Sequence, residues 1–484
     1  MKRKSQHYTI SAVVLLIASL LSSCKLPQEL SGTDSLKQTT TFSYVPDTVQ
    51  RAQDLPAWRD FFYDPYLVAL IDTAIANNLD LKMASQRIYQ AQAGFRYSQR
   101  VFFPSINART AAGTTRFGDY TVDGVGNFDT NFSPNLTDEQ RIPNPVPDYF
   151  LGAETNWEIG LAGKLRNRKK AAMSRYMAAE FNRHAVQTHL VAGAARLYYE
   201  LLAADNELKI IRQNLALQQR ALEIVDIQKQ SGQINELAVK QFQVQLLQTQ
   251  ALEAERIQYL IGVENSLNTL LGRYPQPIPR SDTLIATDQL AVISSGLPAT
   301  LLQNRPDIRE AEMQLKANEA ELKAVKASFF PVLNISAFIA LNGFNPTFFF
   351  NPASLAYTLT GALTAPIINR NQIMTDYRLQ AGDKKVAFYN YQQRVLQSVA
   401  EVSSYYNRMM GYQQVSELKQ REVNELKTAT VIANDLFLTG YANYLEVLMV
   451  RRNVLDAEIQ SMEATKEFFH SYIDFYKAMG GGWR

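Results

Sequence analysis

The chain has 484 residues, a formal net charge of +3 and a single cysteine. A charge so close to zero argues against a dedicated nucleic-acid-binding protein, which usually carries a strong basic excess. With one cysteine, the chain has no internal disulfide to build.

The N-terminus has the features of a bacterial lipoprotein signal peptide. Basic residues at positions 2–4 precede an apolar run over residues 10–21, which is too short to span a bilayer as a helix. The run ends in a Leu-Ser-Ser-Cys sequence that resembles a lipobox. We therefore expect a signal peptide over residues 1–23 and a covalent lipid on Cys24. An ordinary secretory signal peptide with a chance cysteine is the alternative.

Residues 24–55 are polar and contain scattered prolines, which predicts a lipidated N-terminal tether rather than a domain. Lys25 is compatible with transfer to the outer membrane in lipoproteins that resemble this one. No later segment has 18 uninterrupted apolar residues. Any part of the chain that crosses a membrane is therefore expected to use β-strands.

The rest of the chain reads as a tandem duplication, with structural repeats over residues 56–280 and 281–484. An Asn-Asn-Leu-Asp block at 77–80 precedes a Phe-Phe-Pro sequence, and a related Asn-Arg-Pro-Asp block at 304–307 precedes another at the same spacing. A second pair of similar blocks begins at Gly232 and Gly440. A Gly-, Asn- and Pro-rich loop over residues 113–147 explains the extra length of the first repeat.

Each repeat is predicted to contain a long helical hairpin. Proline is absent from residues 148–274 and again after residue 366, and both stretches are rich in good helix formers. The predicted hairpins span about residues 164–271 and 368–478, with helices on the order of 100 Å long. Such helices must pack against neighbours, and one apolar seam has helical spacing. Its residues are Leu260, Val263, Leu267 and Leu270.

Four short segments alternate between apolar and polar residues and are predicted to be β-strands. They span about residues 104–114, 150–162, 331–342 and 355–365. In the second, we expect Glu154, Asn156 and Glu158 to face a lumen, and Trp157 and Ile159 to face lipid. A soluble, half-buried sheet would give the same alternation. Four strands cannot close a barrel in lipid, so closure needs further copies, and arithmetic allows two, three or four.

Several motifs resemble the TolC-like outer-membrane efflux factors, and in particular their OprM-like and NodT-like lipoprotein branch. The resemblance is carried by Trp58, Phe61-Phe62, Asp64-Pro65, Arg305-Pro306-Asp307-Ile308-Arg309 and Phe329-Phe330-Pro331, and it extends from about Leu55 to the C-terminus. Departures at Gly160, Ala162 and residues 369–371 weaken the assignment to a subfamily.

The resemblance implies an α+β membrane protein that assembles as a homotrimer. Three protomers would supply four strands each to a 12-stranded β-barrel, and their helical hairpins would form a periplasmic α-helical barrel. The resemblance also implies a passive exit duct in the outer membrane, docked to a periplasmic adaptor (membrane fusion) protein and an inner-membrane pump. It implies no enzymatic activity and no cofactor besides the lipid on Cys24.

The turns at Gly232 and Gly440 are expected at the periplasmic tips of the hairpins. In TolC-like proteins an acidic residue six positions after the second turn glycine helps to line a closed aperture. The resemblance therefore assigns a pore constriction to Glu446, although a solvated position on the helix is an equally simple interpretation. Met449 stands where a second acidic residue often occurs.

No catalytic or metal-binding constellation is recognisable in the sequence. His184 and His189 are five residues apart, which places them on different helix faces. The leading alternative function is a secreted or surface structural coiled-coil lipoprotein without pore activity. A periplasmic adaptor is a second alternative, but adaptors have one hairpin whereas this chain duplicates it.

Overall fold

The computed structural model describes residues 55–282, 305–366 and 371–484. The helices are α1 (Trp58–Phe61), α2 (Pro65–Asn77), α3 (Leu79–Arg100), α4 (Val122–Thr130), α5 (Lys164–Gln230), α6 (Glu236–Leu270), α7 (Pro306–Ala327), α8 (Asn371–Leu438) and α9 (Tyr444–Ala478). The strands are β1 (Ser105–Thr115), β2 (Val146–Ile159), β3 (Val332–Gly343) and β4 (Leu355–Thr364). None of the described helices carries an apolar stretch long enough to cross a bilayer.

The strands form one sheet in the order β1-β2-β3-β4, and every neighbouring pair is antiparallel. Strands β1 and β4 are the two edges, and neither edge has a ladder partner within the described part of the chain. The fold class predicted from the sequence, with four strands and two long helical hairpins, is confirmed.

Four helical columns extend from the sheet. Helices α5 and α8, of 67 and 68 residues, each form one column. The other two columns are each built from two shorter helices, α3 with α6 and α7 with α9. In the first, the Asn78 side chain at the start of α3 donates to the Leu270 carbonyl at the end of α6, at 2.9 Å. In the second, the Arg305 guanidinium donates to the Ala478 carbonyl, also at 2.9 Å.

These two joints occupy equivalent positions in the two sequence repeats. Asn78 corresponds to Arg305, and Leu270 corresponds to Ala478. The last carbonyls of a helix have no partner within their own helix, so each donor satisfies a group that would otherwise remain unpaired. The duplication seen in the sequence is thus also a duplication of contacts.

The main hydrophobic core lies where α1 and α2 pack on the middle of α5 and the end of α9. Phe61 stacks on Tyr476, with ring centroids 3.8 Å apart, and on Tyr472. Leu267, from the predicted seam of α6, is fully buried in the same cluster. This cluster fixes the helical columns to one another about halfway along α5.

The loop predicted over residues 113–147 is more ordered than the sequence indicated. Strand β1 continues to Thr115, β2 begins at Val146, and helix α4 lies between them. The Thr121 side chain caps α4 by accepting from the Gly124 N–H at 3.0 Å. Two glycines within its nine residues give α4 a low intrinsic helix propensity, which is why composition alone predicted a loop.

Candidate functional site

Glu154, Asn156 and Glu158 lie on one face of the sheet. The register places Glu154 opposite Asn107 and Phe338, and Asn156 between serines of β1 and β3. Directly paired residues share a face in an antiparallel sheet, so polar side chains from each of the four strands lie on this face. The structure therefore brings the three residues together, while their assignment to a lumen depends on barrel closure.

The polar face carries paired charges and an aromatic cluster. Arg109 lies 3.4 Å from Glu154 across the β1–β2 ladder, and its guanidinium also lies over the Phe150 ring. Phe150 in turn meets Phe338 edge-on. Sequence reasoning missed Arg109, because its partner becomes apparent only once the strand register is known.

The opposite face is apolar and open to solvent in the isolated protomer. Its side chains include Ile106, Ile339, Tyr357, Leu359 and Leu363, which are between 55% and 78% exposed. A contiguous apolar surface of this kind indicates an interaction with lipid or with another protein. Trp157 and Ile159 belong to the same face by alternation, and the Trp157 indole N–H donates to the Phe102 carbonyl at 3.1 Å.

The two hairpin turns at the far end of the helices are built alike. Gly232 and Gly440 have φ values of +76° and +80°, in the left-handed region that favours glycine. Three residues later, Asn235 and Asn443 cap the returning helices by accepting backbone N–H groups. The long helices place both turns on the order of 100 Å from the sheet.

Glu446 lies in the first turn of α9, and its side chain is exposed. Among the ion pairs of the described residues, none includes Glu446. The first hairpin differs, because Glu236 in the first turn of α6 pairs with Lys229 and Lys240. The Glu446 carboxylate, with no described ion pair, is available to interact with other copies or with ions.

Arg451 connects the two hairpins near this tip. Its guanidinium donates to the Asn434 side chain of α8 at 3.1 Å and to the Leu217 carbonyl of α5 at 3.5 Å. Burial lowers the pKa of Arg451 below its usual range. Sequence reasoning missed this contact because it joins helices that are far apart in the chain.

Cys24 and the tether up to residue 54 lie outside the described residues. Within the ranges that the structure describes, no group of three His, Cys, Asp or Glu side chains comes together to hold a metal ion. The surfaces described above are the two faces and two edges of the sheet and the tips of the hairpins.

Comparison with known proteins places the chain in a family. The outer membrane efflux protein family matches residues 70–273 and 297–481. The solvent efflux pump outer membrane protein SrpC of Pseudomonas putida is 28% identical over 433 residues, covering 89% of this chain and 88% of that protein. The probable outer membrane lipoprotein SilC of Salmonella typhimurium is 28% identical over 428 residues, covering 88% of each.

The fold is shared with solved outer-membrane channels. A crystal structure of CusC, described as forming a transmembrane channel, aligns with a TM-score of 0.80 at 25% identity and covers 93% of this chain and all of that one. The family match spans most of the chain and includes both repeats. The chain therefore belongs to the outer membrane efflux protein family and is an outer-membrane channel of an efflux system.

Proposed function

We propose that three copies of this chain close into a continuous duct, with a 12-stranded barrel in the outer membrane and a 12-column helical tunnel in the periplasm. The two free edges of the sheet carry this proposal. Because β1 and β4 run in opposite directions, β4 of one copy can pair with β1 of the next in the same antiparallel pattern. Closure removes every edge, as a bilayer requires.

Pore size and family resemblance together favour three copies. With strands about 4.8 Å apart and tilted by about 40°, eight strands give a backbone diameter of about 16 Å, which side chains fill. Twelve strands give about 24 Å and leave an aqueous passage. Arithmetic also allows four copies, whereas the resemblance to TolC-like channels implies three.

The faces of the sheet fit this arrangement. In a closed barrel the exposed apolar face would contact lipid, and Glu154, Asn156 and Glu158 would line the lumen. The reverse orientation would place the Arg109–Glu154 pair in hydrocarbon, at a cost of several kcal/mol. The duct would therefore be water-filled and would conduct passively, with energy supplied by an inner-membrane pump.

The hairpin tips are the proposed docking point for a periplasmic adaptor protein and the proposed site of the constriction. Threefold symmetry would bring three Glu446 carboxylates to one aperture, where they would attract cations. The relatives SrpC and CusC are named for solvent and cation efflux respectively. We propose that the pump selects the cargo and that the aperture favours cations among small ions.

Lipidation of Cys24 is the proposed second anchor. Mass spectrometry of the mature protein should find Cys24 as the N-terminal residue with acyl chains attached. The Cys24→Ala variant should lack the lipid and still form trimers, because the barrel also holds the protein in the membrane. An unmodified thiol at Cys24, or cleavage at another residue, would contradict the proposal.

The duct is tested by measuring mass and conductance on the same preparation. Protein purified in detergent should have the mass of three chains and should produce discrete conductance steps in a planar bilayer. A monomer without conductance would instead favour a structural coiled-coil lipoprotein. A four-chain complex that conducts would retain the channel and refute the trimer.

A further inference from the structure

The junction between the sheet and the helices carries an unusual concentration of positive charge. Residues 164–179, at the start of α5, contain six Lys or Arg residues and no Asp or Glu. Helix α3, which ends at the same junction, has no acidic residue after Asp80. Acids and bases are intermixed elsewhere on the long helices, including the ends of α7 and α8 at this junction, so the basic excess is confined to α3 and α5.

Three of these basic residues, Arg166, Arg168 and Lys170, are exposed and form no described ion pair, and Arg168 lies two positions from each of the others, on the opposite side of α5. The Arg166 and Lys170 side chains are four positions apart, which places them on the same face of α5. Neither residue takes part in an ion pair with any described acid, whereas nearby Lys164 pairs with Glu158 at 2.9 Å and Arg175 pairs with Glu321 at 3.1 Å. Arg166 and Lys170 are therefore free to bind an external anion.

The contacts further along α5 show which way this face points. Lys170 belongs to a seven-residue stripe that continues through Met177, His184, Val191 and Tyr198. His184 stacks on Trp483, with ring centroids 4.8 Å apart, and Tyr198 donates to Asp64, the cap of α2, at 2.6 Å. The stripe thus carries the additional layer formed by α2 and the C-terminal residues. That layer must lie outside the proposed tunnel, because it would block the passage if it lay inside.

Apolar side chains adjoin this charge at the level of the strand ends. Phe103 lies two residues before β1, Leu161 two residues after β2 and Phe330 two residues before β3. They are 73%, 62% and 42% exposed. Arg166 and Lys170 follow within the first two turns of α5, or about 10 Å along the helix. We name these five residues the junction belt.

We propose that the junction belt binds the headgroups of anionic phospholipids in the periplasmic leaflet of the outer membrane. This inference rests on the proposed function, which places the sheet in the bilayer. Its apolar members lie at the depth of the acyl-chain boundary, and the two bases lie at the depth of the phosphates. Threefold symmetry would repeat the belt around the barrel. Bound lipid would fix the vertical position of the duct without using the lipid on Cys24.

Trp157 provides an internal probe of this site. It lies on the apolar face two residues from the end of β2, next to the belt. The other two tryptophans, Trp58 and Trp483, lie in the layer around the middle of α5, roughly 30 Å away along α3. Brominated acyl chains quench only tryptophans that they touch, so quenching reports lipid around the base of the barrel.

The experiment places the trimer in phosphatidylcholine vesicles that contain increasing fractions of brominated phosphatidylglycerol or brominated phosphatidylcholine. One basic residue near an anionic surface changes affinity by about fivefold. We therefore expect phosphatidylglycerol to be favoured about fivefold or more at low salt. The preference should fall to within about twofold in the Arg166→Gln/Lys170→Gln variant and in 1 M salt, where charges are screened within about 3 Å.

A charge-matched control is available farther along α5, toward the hairpin turn at Gly232. Lys209 and Arg220 are exposed and take part in no described ion pair, and the Lys209→Gln/Arg220→Gln variant should keep the full preference. Two results would refute anionic-lipid binding by the junction belt without contradicting the proposed barrel. One is equal quenching by both lipids in the unmodified protein, and the other is an unchanged preference in the Arg166→Gln/Lys170→Gln trimer. Absence of quenching by either lipid would overturn both the belt and the proposed barrel.

Discussion

The Leu359→Arg substitution should impair assembly far more than Thr360→Arg, a substitution at the next residue. Leu359 is the fifth of the ten residues of β4, so it lies near the middle of the proposed membrane-spanning segment. Its side chain is 75% exposed in the protomer and belongs to the apolar face. Thr360 pairs with Ser336 on the polar face at almost the same depth.

The expected penalty has two parts. Full burial of a leucine side chain contributes about 1.5–3 kcal/mol, so three-quarters of that, about 1–2 kcal/mol, is lost when Leu359 is replaced. An arginine on the lipid face near the bilayer midplane costs about 2–4 kcal/mol more. Leu359→Arg should therefore destabilise each chain by about 3–6 kcal/mol, and a trimer contains three such sites. Thr360→Arg should cost less than about 1 kcal/mol, because its side chain would enter water.

The assay is folding into lipid vesicles, with the trimer fraction followed by gel mobility without boiling and by urea titration. Leu359→Ala is the control for loss of the leucine alone. Ile159→Arg, at the last residue of β2, should cost less than Leu359→Arg because it lies near the interface. It should still cost more than Glu158→Arg on the polar face. Equal tolerance of arginine at Leu359 and Thr360 would refute the assignment of the two faces.

Three further predictions concern the helical part. Glu446→Gln should reduce the cation selectivity of single channels in a planar bilayer and Glu446→Lys should reduce it further; unchanged selectivity in both intact trimers would place the constriction at other residues. Arg305→Ala should destabilise the protein by about 3 kcal/mol in a denaturant titration, because Arg305 is buried and its loss leaves Asp307 and Glu401 without their partner; an effect below about 1 kcal/mol would show that the α7–α9 joint is dispensable. Burial, aided by Arg196, lowers the pKa of His470 below its unfolded value of about 6.5, so the unfolded state binds more protons and stability should fall as pH drops through about 6.5. His470→Gln should flatten that decline, and an unaltered pH profile would contradict the assignment.

The long helices are the part of the fold that sequence predicts best. No proline interrupts α5 between Lys164 and Gln230, and Gly232 then supplies the left-handed turn that ends the helix. Helix propensity and its breakers act locally, so they can be recognised without knowledge of the partners. Helix α4 was missed for the same reason, since its glycines give the local pattern of a loop.

The strands were recognisable by alternation, but their contacts were not. Alternation sorts Glu154 from Trp157 and predicts that they face opposite sides. It does not give the register of the strand pairing. A shift of one residue in that register would move every side chain of the strand to the opposite face of the sheet. The Arg109–Glu154 pair depends on that register.

At the joints between the half-length helices, the sequence identifies the residues involved but not their partners. The repeated blocks identified Asn78 and Arg305 as equivalent residues. Their carbonyl partners, Leu270 and Ala478, are more than 170 residues away in the chain, so only the packed structure reveals what the equivalence achieves. Glu446 is a harder case still, because its proposed role depends on two further copies of the chain.

The most direct test of the central claim is disulfide formation between β1 of one copy and β4 of the next. With Cys24 replaced by Ala the chain has no cysteine, so an Ala108→Cys substitution can be combined in turn with cysteines at Tyr357, Leu359, Gly361 and Leu363. A disulfide requires Cβ atoms within about 3.5–4.5 Å, so one register should react far better than the others. We predict that oxidation in outer membranes yields a covalent species of three chains and nothing larger. A largest species of two chains, a ladder that continues beyond three, or no crosslinking at any position would contradict the closed trimeric barrel.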